Sequence, residues 1–219
     1  MRVYYLTSES HAISNIENMR IKVSLFEDLN DPFELLGFSL EDQERRAVWR
    51  KFRDYFSRQV GLVCFSVQWQ NPVMWSHYGD KHKGIGLGFD VSDEILKKVS
   101  YVGDRKRMQI GRSLSSHGIE PDLLSKIVRY KYNEWSYERE YRGIVPLEEK
   151  DSSGLHFVDF SESFVLREII IGARCKRTPA GFRNLLLPYK NEVKVIKSRL
   201  AYQSFKVVKN RAIAEYRHA

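Results

Sequence analysis

The strand-like runs of this chain are short and do not alternate regularly with its helical segments, and no other feature of the sequence restricts the fold as much. A doubly wound parallel sheet needs that alternation, because each crossover carries a helix. Here Tyr137–Val145, Leu155–Phe160 and Val165–Gly172 follow one another as strands with no helix between them. The expectation is an α+β fold, with a mixed, largely antiparallel sheet flanked by short helices. A chain of 219 residues suits one domain and can bury a core without disulfides or metal staples. With no repeat, low-complexity tract or long linker, residues 1–219 read as a single domain.

Local signals supply the elements. Val3–Leu6 and Ile21–Ser24 read as strands, with Ser10 capping a helix through Asn18 between them. Glu41–Gln59 carries Val48, Phe52, Tyr55 and Phe56 at helical spacing, with Ser39 as N-cap. Gly61–Val67 is a buried strand by its length and apolar content. Asn71-Pro72 opens a short helix that Gly79 closes. In Gly84–Asp90 glycines alternate with apolar residues, which weakens a strand unless a ligand or a neighbouring backbone lies close. Ser92 is placed to cap a helix to Val99, Gly103–Gly118 is a polar, basic loop, and Pro121–Tyr132 is helical. Thr178-Pro179 starts a helix to Leu187, and strands near Val193–Lys197 and Tyr202–Val208 follow.

Only Cys64 and Cys175 are present, so there is no disulfide framework and a reducing cytoplasm is expected. Cys64 reads as a small buried hydrophobe. The opening MRVYYLTSES turns polar too soon for a signal peptide, and no run approaches the ~18 apolar residues of a membrane span. Charge is uneven: residues 161–219 hold 13 Lys/Arg against 4 Asp/Glu, so the whole surplus of +8 sits in this C-terminal portion. A basic patch suits a polyanion such as nucleic acid, because neutralising phosphates releases counterions. Phe182, Tyr189, Tyr202 and Phe205 interleave it, as rings on which bases could stack. A solvated face that only aids solubility is the alternative.

Four segments hold most of the chemically dense residues: LNDPFEL (Leu29–Leu35), MWSHYG (Met74–Gly79), HKGIGLGFD (His82–Asp90) and WSYEREYR (Trp135–Arg142). In the last, strand periodicity puts Glu138, Glu140 and Arg142 on one side, the two carboxylates about 6–7 Å apart. Such a carboxylate could stabilise developing positive charge or act as a general base. A charged sheet face crossed by weak Glu–Arg pairs is the plain alternative. His77 can donate and accept, and Tyr78 can stack on a flat ligand, while Trp75 is better suited to packing. Asn30, Asp31 and Glu34 are polar beyond the needs of a simple turn, although Asp31 could merely cap a helix begun by Pro32. The glycines of His82–Asp90 lack the dinucleotide fingerprint, and no C-x-x-C or H-E-x-x-H spacing points to a metal.

Taken in order, NDPFE, the CFS strand (Cys64–Ser66), WSHYG, HKGIGLGFD, WSYEREYR and EIIIG (Glu168–Gly172) resemble a bacterial family known only as domain of unknown function 2971. The order of elements is also similar to the ADP-ribosyltransferase fold, including nucleic-acid-modifying toxins and RNA 2′-phosphotransferases. That resemblance implies a cofactor-binding aromatic, His or Arg on an early strand, a Ser or Tyr on a middle strand, and a Glu on a later one. The matching positions are Tyr5 and Thr7, then Ser66 or Tyr78, then Glu138 or Glu140, with Arg142, Asn30, Asp31 and Glu34 also on the cofactor side. The first strand itself lacks His and Arg; Arg2 precedes it and His11 follows it. What the resemblance implies is an enzyme that splits NAD and modifies a nucleic acid or protein, in phage defence or as a toxin. A nucleic-acid-binding module without turnover is the alternative, and a nuclease a more distant one.

Overall fold

The computed structural model describes residues 1–107, 114–115, 118–119 and 125–219. Its strands are β1 (Arg2–Thr7), β2 (Arg20–Lys22), β3 (Val60–Ser66), β4 (Ile85–Val91), β5 (Leu96–Lys98), β6 (Ser100–Val102), β7 (Leu114–Ser115) and β8 (Gly118–Ile119). There follow β9 (Tyr130–Tyr132), β10 (Glu140–Pro146), β11 (Phe157–Asp159), β12 (Phe164–Ile171), β13 (Val193–Leu200), β14 (Val207–Lys209) and β15 (Tyr216–His218). The helices include α1 (Glu9–Glu17), α2 (Gln43–Phe56) and α3 (Pro72–His77). The main sheet runs β14-β13-β12-β4-β1-β3-β10-β5, with β15 also paired to β13. Within it β12 and β13 are parallel and the other neighbours antiparallel, so the expected α+β fold with a largely antiparallel sheet is present.

Both faces of this sheet are covered, so the period of two sorts neighbouring residues between separate cores. Ile169, Ile171 and Val195 join Val3, Ile16, Phe89 and Phe182 in one core. Their neighbours Ile170 and Ile196 join Leu6, Trp69, Met74 and Trp75 in another. Leu62 packs with Trp49 and Phe52 of α2, and with Ile127 and Val128, in a third. Strand β1 pairs with β4 at six positions and β3 with β10 at seven, yet β1 meets β3 at one alone, Tyr4 opposite Ser66. The two halves of the sheet therefore meet along a narrow seam. The glycines near it serve neighbouring chain: a Cβ on Gly84 would run into the Thr7 carbonyl oxygen, and one on Gly88 would lie 3.0 Å from the Tyr4 ring.

Several local expectations are corrected. Ser8, not Ser10, caps α1, accepting the His11 amide at 3.3 Å. Asp42, not Ser39, caps α2, and Ser39 bonds Glu41 instead. Of the face expected from the spacing, Phe52 is buried beside Trp49, whereas Tyr55 is exposed. Asp31 accepts the Phe33 amide within a turn, and no helix follows Pro32. No helix follows Ser92 either; Leu96–Lys98 is drawn into pairing with β10, where sheet hydrogen bonds outweigh helical preference. Of the helix expected over Pro121–Tyr132, residues 121–124 lie outside the described residues, 125–127 are helical, and Tyr130–Tyr132 is β9, parallel to β6. The expected loop Gly103–Gly118 lies partly outside them too, and Leu114–Ser115 pairs with β8. Residues 202–206 form an irregular, bent loop, so the last expected strand shrinks to Val207–Lys209. Phe182 and Tyr189 are buried core residues and offer no stacking surface.

Candidate active site

The seam between β1 and β3 opens into a cavity of about 400 Å³. Tyr4, Tyr5 and Leu6 line it from one half of the sheet, and Cys64, Phe65 and Ser66 from the other. Met74, His77 and Tyr78 reach it from α3 and its C-terminal residue. Helix α3 is placed there by its sequence: Asn71 accepts the Val73 amide at 2.8 Å, and Pro72 presets the first helical dihedral. Asn71→Ala is expected to cost about 1 kcal/mol through loss of that cap, seen as a lower urea midpoint. Trp75 packs as expected, its indole N–H donating to the Trp69 carbonyl at 2.6 Å.

A buried charge cluster forms part of the wall. Lys131 Nζ lies 2.6 Å from Glu138 Oε2, 3.0 Å from Glu140 Oε2 and 3.1 Å from Glu34 Oε1. Fully buried, Arg142 donates to Glu140 Oε1 at 2.6 Å, to Glu34 Oε1 at 2.8 Å and to the Val128 carbonyl at 2.8 Å. Three carboxylates thus meet two cations. The Tyr78 hydroxyl donates to Glu138 Oε1 and accepts from Asn30 Nδ2, the latter at 2.8 Å. Glu34 Oε2 is buried without a hydrogen-bond partner.

Backbone geometry at Glu138 differs from a continuous strand. Asn133–Glu138 is a 3-10 turn, Arg139 is left-handed at φ 48°, and β10 starts only at Glu140. Glu138 and Glu140 still share a side, but through the Arg139 reversal rather than strand alternation. Ser66 Oγ braces the turn by donating to the Glu138 carbonyl at 2.6 Å, and Gln68 Nε2 donates to the Tyr137 carbonyl at 2.9 Å.

The two glutamates are driven apart in proton affinity, a pattern that assigns different duties to paired carboxylates. Burial lifts the Glu138 carboxyl above its ordinary range; Lys131 opposes the lift and the like charge of Glu140 adds to it. Burial also pushes Glu140 up, but Arg142 and Lys131 outweigh it and bring that carboxyl down to about 2. Burial would lower Lys131, yet Glu140, Glu34 and Glu138 together raise it and keep it charged. Tyr78 is held protonated by burial and by Glu138. Glu140 is therefore a fixed counterion, and Glu138 is the carboxyl of the pair closer to exchanging a proton.

Of the residues singled out from sequence, Tyr5, Asn30, Glu34, Ser66, His77, Tyr78, Glu138 and Glu140 line the cavity. Thr7, Asp31 and Arg142 are not among its lining: Thr7 sits at the end of β1 opposite Ile85, Asp31 serves its own turn, and Arg142 supports Glu140 and Glu34. Sequence reasoning missed Lys131, Tyr4 and Asp28. Lys131 fell within the helix expected over Pro121–Tyr132 and stands instead in the middle of β9; nothing in its spacing joins it to Glu34, Glu138 and Glu140. Among the described residues no group of three or more His, Cys, Asp or Glu side chains is placed to hold a metal ion.

Fold and site together define an α+β protein whose split sheet holds an aromatic-walled cavity with a lysine-bridged trio of carboxylates. Residues 74–143 match the family described as Protein of unknown function (DUF2971). That span, under half of the chain, includes His77, Tyr78, Lys131, Glu138, Glu140 and Arg142 but not β1 or residues 30–34. No curated protein and no solved structure matches the chain. No helix among the described residues is long and apolar enough to cross a membrane.

Proposed function

We propose that the chain is an ADP-ribosyltransferase-like enzyme that uses NAD as substrate and transfers ADP-ribose to a nucleic acid or protein. One observation carries the reading: Glu138 is held by Tyr78 and Lys131 in the wall of an aromatic cavity, in a cluster with one more carboxylate than cations. Cleaving NAD breaks the bond from the ribose anomeric carbon to the nicotinamide nitrogen, and the bonding electrons leave with nicotinamide. Positive charge builds on the ribose, where a fixed carboxylate in a water-poor site stabilises it. The excess of negative charge also suits the cationic nicotinamide ring before the bond breaks. Tyr4, His77 and Tyr78 supply ring faces for stacking, and the unpartnered Glu34 Oε2 can accept a ribose hydroxyl. The acceptor atom then bonds to the anomeric carbon and gives its proton to Glu138 or to water. In support, Tyr4, Ser66 and Glu140 stand in one row across β1, β3 and β10, so an early aromatic and a middle serine lie level with the start of β10, just after the turn that carries Glu138.

The test is nicotinamide release from NAD by purified protein, with DNA, RNA or cell extract as acceptor. Acceptor-dependent release supports the reading; no release from folded protein under any condition rejects it. Tyr78→Phe removes a hydrogen bond that favours ionised Glu138, so the Glu138 pKa rises further. The acid limb of the release-against-pH profile should then move to higher pH, and an unmoved limb would disconnect Tyr78 from the reacting carboxylate. A nucleic-acid-binding module without turnover is the second reading, favoured by the basic surplus of residues 161–219.

A further inference from the structure

Among the described residues, the two most exposed aromatic side chains stand three residues apart at one hairpin tip. Tyr202 is 91% and Phe205 97% exposed, in the loop that joins β13 to β14. Neither belongs to a core, although burying a ring of this size is worth about 1.5–3 kcal/mol. Single exposed apolar residues are ordinary, but these two are accompanied by a charge pattern. From 193 to 211 the sequence holds six Lys/Arg and no Asp/Glu. The Arg199 guanidinium lies over the Tyr202 ring at 4.7 Å, and Lys206 is exposed beside Phe205.

We propose that this hairpin tip is a docking element for single-stranded nucleic acid, with Tyr202 and Phe205 stacking on bases and Arg199 and Lys206 contacting phosphate. Ring faces bordered by cations fit a strand whose flat bases and phosphates alternate. Gln203 and Ser204, polar and exposed between the rings, are poorly suited to entering acyl chains, so charge and chemistry favour nucleic acid over an anionic bilayer. The base of the hairpin is fixed to the site: the Val207 amide donates to the Gln70 carbonyl at 2.8 Å, just before α3. Val207 also packs in one cluster with Met74, which lines the cavity. A strand held at the tip is thus coupled through one packed unit to the cavity wall.

The test is fluorescence anisotropy of labelled oligouridylate with the full chain and no NAD, so its outcome is separate from that of the transferase reading. Binding should weaken steeply with added salt. Tyr202→Ala with Phe205→Ala should weaken it about tenfold or more, with an unchanged circular dichroism spectrum. Arg199→Ala with Lys206→Ala should also flatten the salt dependence. Unaltered affinity in the ring variant would overturn the proposal. So would absence of oligonucleotide binding, including the case in which phosphatidylserine vesicles are bound instead.

Discussion

Glu138→Gln is expected to leave a folded protein whose nicotinamide release falls by about 10²–10⁴-fold, the range for a positioned acid-base or electrostatic group. The amide matches the carboxylate in shape and keeps an oxygen for Lys131 or Tyr78. Two carboxylates, Glu34 and Glu140, would then face Lys131 and Arg142, a balanced cluster, so folding should change little. Glu140→Gln gives the contrasting result. It turns one of the two oxygens that accept from Arg142 into a donor and removes the negative charge nearest the fully buried guanidinium, so its first effect is on stability, and its effect on release should follow the loss of folded protein. Measuring release and the urea midpoint for both variants separates the roles. Equal release from Glu138→Gln and wild type would reject Glu138 as the reacting group.

Arg142→Met is expected to destabilise the fold by about 3–5 kcal/mol, the usual consequence of removing one partner of a buried ion pair. Methionine fills the space of the side-chain stem, but Glu140 and Glu34 lose a guanidinium that touches both, and the Val128 carbonyl loses its donor. The pH dependence carries a signature. Glu140 falls from an ordinary 4.5 to about 2 on folding, so its stabilising contribution is complete above 4.5. That contribution disappears as pH falls from there through about 2, because protons then bind the unfolded chain more tightly than the folded one. In the variant this acid-linked loss should shrink, so wild type and Arg142→Met converge in stability as the pH is lowered. Parallel curves across that range would show that Arg142 does not hold Glu140.

Fold and site were unequally legible in the sequence. The cap and proline of α3 act on adjacent residues, so Asn71-Pro72 announced that helix directly. Consecutive apolar runs likewise announced β3, β4 and β12. The alternation of β10 placed Glu140 and Arg142 together, as they are. Alternation failed at Glu138, where a left-handed Arg139 restores the shared side by another route. It failed also at Ser92–Val99, where pairing with β10 overrides a helical signal.

The sequence by itself determined the fold class and the elements that carry Tyr5, Ser66, His77, Glu140 and Arg142, because turn chemistry and periodicity act between neighbours along the chain. It also determined that charge accumulates after residue 161, since composition needs no geometry. Tertiary structure alone decided that Tyr4 and Lys131 line the cavity, that Arg142 stands behind it, and that Phe182 and Tyr189 are core while Tyr202 and Phe205 remain in water. It also decided how Glu138 and Glu140 differ. Two glutamates separated by one residue are equivalent in the chain, but proton affinity depends on burial and on charges a few ångströms away. Here those charges are Arg142 of β10 and Lys131 of β9, together with the like charge that Glu140 presents to Glu138.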